Sequence, residues 1–190
     1  MPTLYLLIGG NQGDRRQMIT EATDLIRQRI GSVVACSSLY ETAPWGTFHP
    51  DDNPQGFYNQ ALLVETTLSP HDALKEALDI EHQLGRRRKE KVESLELKVD
   101  SGIPHPDSSQ FSILNSHLYS SRPIDIDLIL YDSLVVDTPD LTLPHPRMHL
   151  RRFVLTPLCE IAPDIVHPLF NETISQLLNE CTDNSSCSCC

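Results

Sequence analysis

The order in which hydrophobic periodicity changes along the chain constrains its fold more than any other feature. Residues 3–8 form an apolar run of strand length. The turn Gly9-Gly10-Asn11-Gln12-Gly13-Asp14 then ends at a helix cap, and Met18, Ala22, Leu25, Ile26 and Ile30 recur at helical spacing until Gly31 stops them. Residues 33–41 read as a second strand and 57–66 as a third, joined by a loop rich in Pro, Gly and Asp. A second helix has Ser69 as its cap, Pro70 at its first position and Asp72 in its first turn, and it ends at Gly85. A fourth strand follows at residues 122–130. The sequence β-α-β-β-α-β predicts an α+β fold, a ferredoxin-like sandwich with a mainly antiparallel sheet, helices on one face and the other face open to a ligand. Beyond this core, a hairpin is expected around residues 134–143, a helical patch over 148–158 and a terminal amphipathic helix carrying Ile174, Leu177 and Leu178.

The fourth strand, Arg122-Pro123-Ile124-Asp125-Ile126-Asp127-Leu128-Ile129-Leu130, carries the chemistry. Side-chain alternation puts Asp125 and Asp127 on one face and Ile124, Ile126, Leu128 and Leu130 on the other. At about 3.3 Å per residue the two carboxylates emerge roughly 6.6 Å apart, a span that holds two divalent ions about 3.5–4 Å apart. A solvated strand face would explain an isolated Asp-x-Asp equally well. Here the outer face returns to apolar at Ile129, and Arg122 adds a guanidinium suited to phosphate.

With 190 residues, 39% of them hydrophobic, the chain has material for one core, expected over residues 1–180. Within it, 90–121 shows little periodicity and reads as a long inserted loop, and 181–190 reads as a flexible Cys/Ser-rich tail. A net charge of -11 argues against a nucleic-acid-coating protein, so a polyanionic ligand needs a local basic patch. Two exist, at Arg86-Arg87-Arg88-Lys89-Glu90-Lys91 and at Arg147 with Arg151-Arg152. The sequence has no apolar window long enough for a membrane span and no basic segment at Met1-Pro2-Thr3, which points to a cytoplasmic protein. Cys36 and Cys159 sit in apolar segments and read as core. Cys181, Cys187, Cys189 and Cys190 lack the second ligand pair that a metal site of the usual spacing would need.

Five motifs, in order, resemble the 6-hydroxymethyl-7,8-dihydropterin pyrophosphokinase family of folate biosynthesis. They are Ile8-Gly9-Gly10-Asn11, Tyr40-Glu41-Thr42-Ala43-Pro44-Trp45-Gly46, Glu81-His82-Gln83-Leu84-Gly85-Arg86-Arg87-Arg88, the Arg122–Asp127 stretch, and Leu143-Pro144-His145-Pro146-Arg147 followed by Arg151-Arg152-Phe153. The resemblance covers about residues 3–170 and implies transfer of diphosphate from ATP to a pterin alcohol. It implies that Asp125 and Asp127 hold two Mg²⁺ ions, that Arg88 and Arg122 grip the transferred group, and that Arg86 and Arg151 support them. It places Glu81 and His145 near the nucleotide, with backbone contacts at Leu128 and Thr142. For the pterin it implies stacking on Phe57 and Phe153 and edge contacts from Asn59 and from the backbone of Thr42, Ala43 and Trp45. It further implies a monomer, and charge and hydropathy leave no nucleic-acid or membrane partner expected. The chain departs from the family in its long 90–121 segment, in Tyr119 and in Ser120-Ser121 before Arg122. The paired acids alone also suit a metal-dependent nucleotidyl transferase, and the fold alone suits a non-catalytic small-molecule-binding domain.

Overall fold

A computed structural model describes residues 1–43, 55–86 and 122–190. The elements are β1 (Thr3–Gly10), α1 (Arg15–Arg29), β2 (Ser32–Cys36), β3 (Tyr40–Thr42), β4 (Phe57–Glu65), α2 (Pro70–Gln83), β5 (Asp125–Tyr131), β6 (Val136–Asp137), β7 (Thr142–Leu143), α3 (Arg152–Ile161), α4 (Ile174–Glu180) and β8 (Cys187–Cys189), with a 3-10 turn at Met148–Leu150. The main sheet runs β5-β1-β4-β3-β8, with β2 also on β4, and every pairing is antiparallel. The first four strand positions therefore have the predicted ferredoxin-like order.

Local chemistry explains the helix starts. Asp14 accepts from the Gln17 N–H at 3.0 Å, Ser69 accepts from Asp72 N–H at 3.2 Å, and Thr173 and Gln176 cap α4 reciprocally. One sheet face buries Leu4, Leu6, Ile8, Leu62, Ile126 and Leu128 under Ile19, Ala22 and Ile26 of α1 and Ala73, Ala77 and Ile80 of α2.

The other face corrects the expectation of a sheet covered on one side. The apolar stripe Val154, Leu155 and Leu158 of α3, with Ile174 and Leu177 of α4, buries Tyr5, Leu7, Ala61 and Ile129. The helices cover that half and leave the Gly9, Asn59 and Asp125 end open, which is where the site lies.

Four further expectations are revised. Leu130 does not share a face with Leu128, because the register against β1 slips between Tyr5 and Leu6 and makes Ile129 an extra residue, a bulge that turns Leu130 toward α3. The strand expected over 33–41 is two, since Ser37 leaves the ladder and its hydroxyl accepts from the Ala61 N–H at 3.0 Å. Cys36 is exposed, because β2 alternates and turns Ser32, Val34 and Cys36 outward. Residues 181–190 are not loose here: Cys181 is buried in the α3–α4 cluster and β8 adds to the sheet edge.

Candidate active site

Sheet register assembles the site. Asp125 pairs with Gly9, which pairs with Asn59, which pairs with Tyr40. One step along, Asp127 pairs with Leu7, and at the other end Phe57 pairs with Thr42. Because residues two apart share a face, Asp125, Asp127, Leu7, Gly9, Asn59, Phe57 and Thr42 all emerge on the side that α3 half covers. They line an open pocket together with Ala43, Arg122, Arg151 and Phe153. Gly9 makes the pocket possible. A Cβ there would lie 2.5 Å from Asn59 Oδ1 and 2.9 Å from the Tyr58 carbonyl oxygen.

Polar side chains divide the pocket into two ends. At one end Asn59 is buried and donates from Nδ2 to Thr42 Oγ1 at 3.0 Å, which fixes the amide in the pocket that Phe57 and Phe153 also line. At the other end Asp125 accepts from the guanidinia of Arg86 and Arg122, and Arg86 also reaches Glu81. Glu81 is 1% exposed and accepts from the Ile126 N–H at 2.8 Å, so a carboxylate on α2 braces the strand between the two aspartates. Arg151 is 7% exposed and places its guanidinium 5.5 Å from the centre of the Phe153 ring.

Charge is unevenly compensated. Burial, and then the Asp125 carboxylate, push Asp127 up to about 6 against the pull of Arg151, Arg122 and Arg86. Burial opposes the charge on Arg86, but Asp125 and Glu81 outweigh it and leave this group above its ordinary value. His145 is pushed down to about 4, first by burial and then by Arg151 and Arg147. Its Nδ1 accepts from the Arg147 N–H at 3.2 Å, which leaves the proton of the neutral ring on Nε2.

Among the described residues no group of three or more His, Cys, Asp or Glu side chains could hold a metal ion. Asp125 and Asp127 nonetheless fit Mg²⁺, a hard cation that takes one or two carboxylates and completes its shell with water and phosphate oxygens. The strained ionisation of Asp127 is what an added cation would relieve.

Of the residues expected from sequence, Thr42, Ala43, Phe57, Asn59, Arg122, Asp125, Asp127, Arg151 and Phe153 meet in this pocket, and Glu81 and Arg86 brace it. His145 does not line the pocket; it is tied to β5, its N–H donating to the Ile129 carbonyl oxygen at 2.9 Å. The Leu128 side chain lies in the core on the opposite face, and Thr142 is exposed on β7. Arg88, Trp45 and the 90–121 insertion fall outside the described residues.

Sequence reasoning gave no role to Asn11, which is 3% exposed. Its Oδ1 accepts from the Arg122 N–H at 2.9 Å, its own N–H donates to the Arg122 carbonyl oxygen at 3.1 Å, and its Nδ2 reaches the Gln55 carbonyl oxygen at 3.4 Å. Its place in the Ile8-Gly9-Gly10-Asn11 motif, at the end of an apolar strand, was the available signal. Glu160 of α3 was also missed. It accepts from the Ser38 N–H at 2.9 Å and from the Tyr40 hydroxyl at 2.9 Å, tying α3 to β3, and only the folded chain brings these residues together.

Comparison with known proteins identifies the family and the fold. The family model described as 7,8-dihydro-6-hydroxymethylpterin-pyrophosphokinase matches residues 5–118 and 108–163. A 2-amino-4-hydroxy-6-hydroxymethyldihydropteridine pyrophosphokinase of Porphyromonas gingivalis is 34% identical over 169 residues, covering 88% of this chain and 95% of its own length. The enzyme of the same name from Methylorubrum extorquens is 34% identical, with 94% and 92% covered. Among solved structures, Plasmodium falciparum HPPK-DHPS wild type aligns with a TM-score of 0.65 at 15% identity, over 94% of this chain. The chain spans 44% of that longer protein, and the likeness shows the fold.

Proposed function

The chain belongs to the 7,8-dihydro-6-hydroxymethylpterin-pyrophosphokinase family, and from that premise we propose how its open sheet end performs the reaction. The activity is pyrophosphate transfer in folate biosynthesis, with ATP and a pterin as substrates. The pterin hydroxyl oxygen bonds to the β-phosphorus of ATP, the bond from that phosphorus to the α–β bridging oxygen breaks, AMP departs and the hydroxyl proton passes to water.

The observation that carries the residue assignment is that one pocket is lined by a buried amide, two aromatic rings, the paired carboxylates and two arginines, with Asp125 ion-paired to Arg86 and Arg122. In our assignment the pterin ring stacks between Phe57 and Phe153, and Asn59 and the backbone of Thr42, Ala43 and Trp45 read its edge. Arg122, Arg151 and Arg86 bind the phosphates, with Arg88 from the segment that follows, and they offset the charge that builds on the transferred group. His145, neutral at physiological pH, donates from Nε2 to a phosphate oxygen without adding charge. Glu81 keeps Arg86 and the β5 backbone in place, and the nucleotide lies against the main chain near Leu128 and Thr142. Asp125 and Asp127 would hold Mg²⁺, which when bound neutralises phosphate charge and lowers the pKa of the pterin hydroxyl. The described pocket has no obvious protein base, which fits activation of that kind.

We further assign a monomer, as the family resemblance implies, working in the cytoplasm where ATP is supplied. The 1–180 region is assigned as one domain that includes the 90–121 insertion. No described helix is long and apolar enough to cross a membrane.

The test is a product assay with ATP, Mg²⁺ and 6-hydroxymethyl-7,8-dihydropterin that resolves AMP from ADP. Pterin-dependent AMP without ADP is expected, and Asp127→Ala should remove it while the protein stays folded. An Asp125/Asp127 double alanine variant with full activity would sink the metal assignment.

A further inference from the structure

Residues 181–190 join the two walls of the proposed pterin pocket. Cys181 is anchored in the apolar cluster under α3 and α4. Asp183 then grips the start of α3. Its Oδ2 accepts from the Arg152 N–H at 2.9 Å, and its carbonyl oxygen accepts from Arg152 Nε at 2.8 Å. A turn follows in which Asp183 Oδ1 accepts from the Ser185 N–H at 2.9 Å. The chain next enters β8, pairing Cys187 with Thr42, Ser188 with Glu41 and Cys189 with Tyr40, and the Cys190 N–H donates to the Leu39 carbonyl oxygen at 2.9 Å.

These anchors touch the pocket at both sides. Arg152 immediately precedes Phe153 on α3, and Thr42 and Ala43 stand on the β3 side opposite it. β3 has three residues, and without β8 its pairing is to β4 alone. So short a strand with one open edge is poorly held in position. The strap gives it a second partner and ties that partner to the helix bearing Phe153.

We propose that residues 181–190 act as a positioning strap that sets the separation of the Phe153 and Thr42 walls and thereby the affinity of the enzyme for its pterin. This rests on the pocket assignment above. The ATP end of the site is braced by Glu81, Arg86 and Asn11, whose described bonds run to Asp125, the Ile126 N–H and the Arg122 backbone. Loosening the strap therefore weakens pterin binding selectively.

The experiment compares Asp183→Ala, Asp183→Asn and Ser188→Pro in the full chain, with Phe153→Ala as a marker of the pocket. Proline at 188 lacks the N–H and extended geometry that a paired strand needs. Steady-state AMP formation gives KM for pterin and for ATP separately, and thermal melts report folding. Asp183→Ala and Ser188→Pro are expected to raise the pterin KM about fivefold or more, consistent with loss of a hydrogen-bonded anchor, while the ATP KM stays within about twofold. Asp183→Asn keeps an acceptor oxygen and should recover part of the affinity. If Phe153→Ala raises the pterin KM but the strap variants leave it unmoved, or raise both KM values together, the strap is refuted and the pocket stands. If Phe153→Ala leaves the pterin KM unmoved, the pocket assignment fails and the strap with it.

Discussion

Replacing Asp127 by Asn should stabilise the ligand-free protein while abolishing turnover, and the gain should depend on pH. A carboxyl moved from 3.8 to about 6 by burial and by Asp125 is disfavoured as an anion by about 3 kcal/mol in the folded chain. Above pH 6 the carboxyl is ionised in both folded and unfolded chains, so the whole penalty falls on the native state. As pH drops from 6 toward 4 the native state takes up a proton that the unfolded chain does not, and the penalty fades. Stability from this group thus rises as pH falls through that window. Asn carries no charge and removes the penalty without changing the side-chain volume. For a chain of this length about 3 kcal/mol corresponds to a Tm increase of roughly 6–12 °C. The assay is thermal unfolding of wild type and Asp127→Asn at pH 8 and at pH 4.5, in a chelating buffer, with AMP formation measured in parallel. The variant should melt higher at pH 8 and keep only about a third of that gap at pH 4.5, and Mg²⁺ with ATP should narrow the gap at pH 8. An equal gap at both pH values, or none at pH 8, would refute the argument that Asp127 sits as a destabilised anion awaiting a cation.

Three further outcomes follow from single contacts. Gly9→Ala places a Cβ 2.5 Å from Asn59 Oδ1, so it should raise the pterin KM well above any change in ATP KM and cost about 1–3 kcal/mol in urea unfolding. The His145 ring should titrate near 4 by NMR, well below an ordinary histidine, and lose no charge between pH 5.5 and 8; a midpoint at 6.5 or higher would overturn its assignment as a neutral donor. Tyr40, pushed up to about 12 by burial and by its hydrogen bond to Glu160, should titrate lower in Glu160→Gln when followed by ultraviolet absorbance, and an unchanged midpoint would show that the contact does not persist in solution.

The strand–helix order was legible because each element carries its own periodicity, and the paired aspartates were legible because they interrupt one. What escaped depended on partners distant in sequence. The apolar stripe Val154, Leu155 and Leu158 announces that α3 must be buried, but not that it lies on the face opposite α1 and α2. The bulge at Ile129 leaves no mark, since Leu128, Ile129 and Leu130 are apolar in any register. Ser37 looks like an ordinary strand residue until Ala61 is opposite it. Residues 181–190 have the composition of a loose tail, and their order comes from Arg152 and β3, contributed from more than 30 residues away. At the site, Phe57, Asn59 and Thr42 could be named from the family resemblance, whereas Asn11 stood in a motif without a role, since its contacts run to the Arg122 backbone far along the chain, and Glu160 acts through cross-element contacts that no motif spells out.

The charge arrangement ties stability to turnover on the proposed assignment. Asp125 is held by Arg86 and Arg122, while Asp127, one pleat along, is the carboxylate left under-compensated. A polyphosphate would give Arg86 and Arg122 a second anionic partner, and Asp125, sharing its arginines, would be left with charge that a bound cation would offset. Glu81 does not join that exchange, because its bond to the Ile126 N–H keeps it fixed to β5 whatever Arg86 does. The strand therefore stays in register while the guanidinia change partners, and the mobile charge is confined to side chains at the mouth of the site. A fully neutralised pair of aspartates would stabilise the empty protein, but it would leave the cation less to gain by binding.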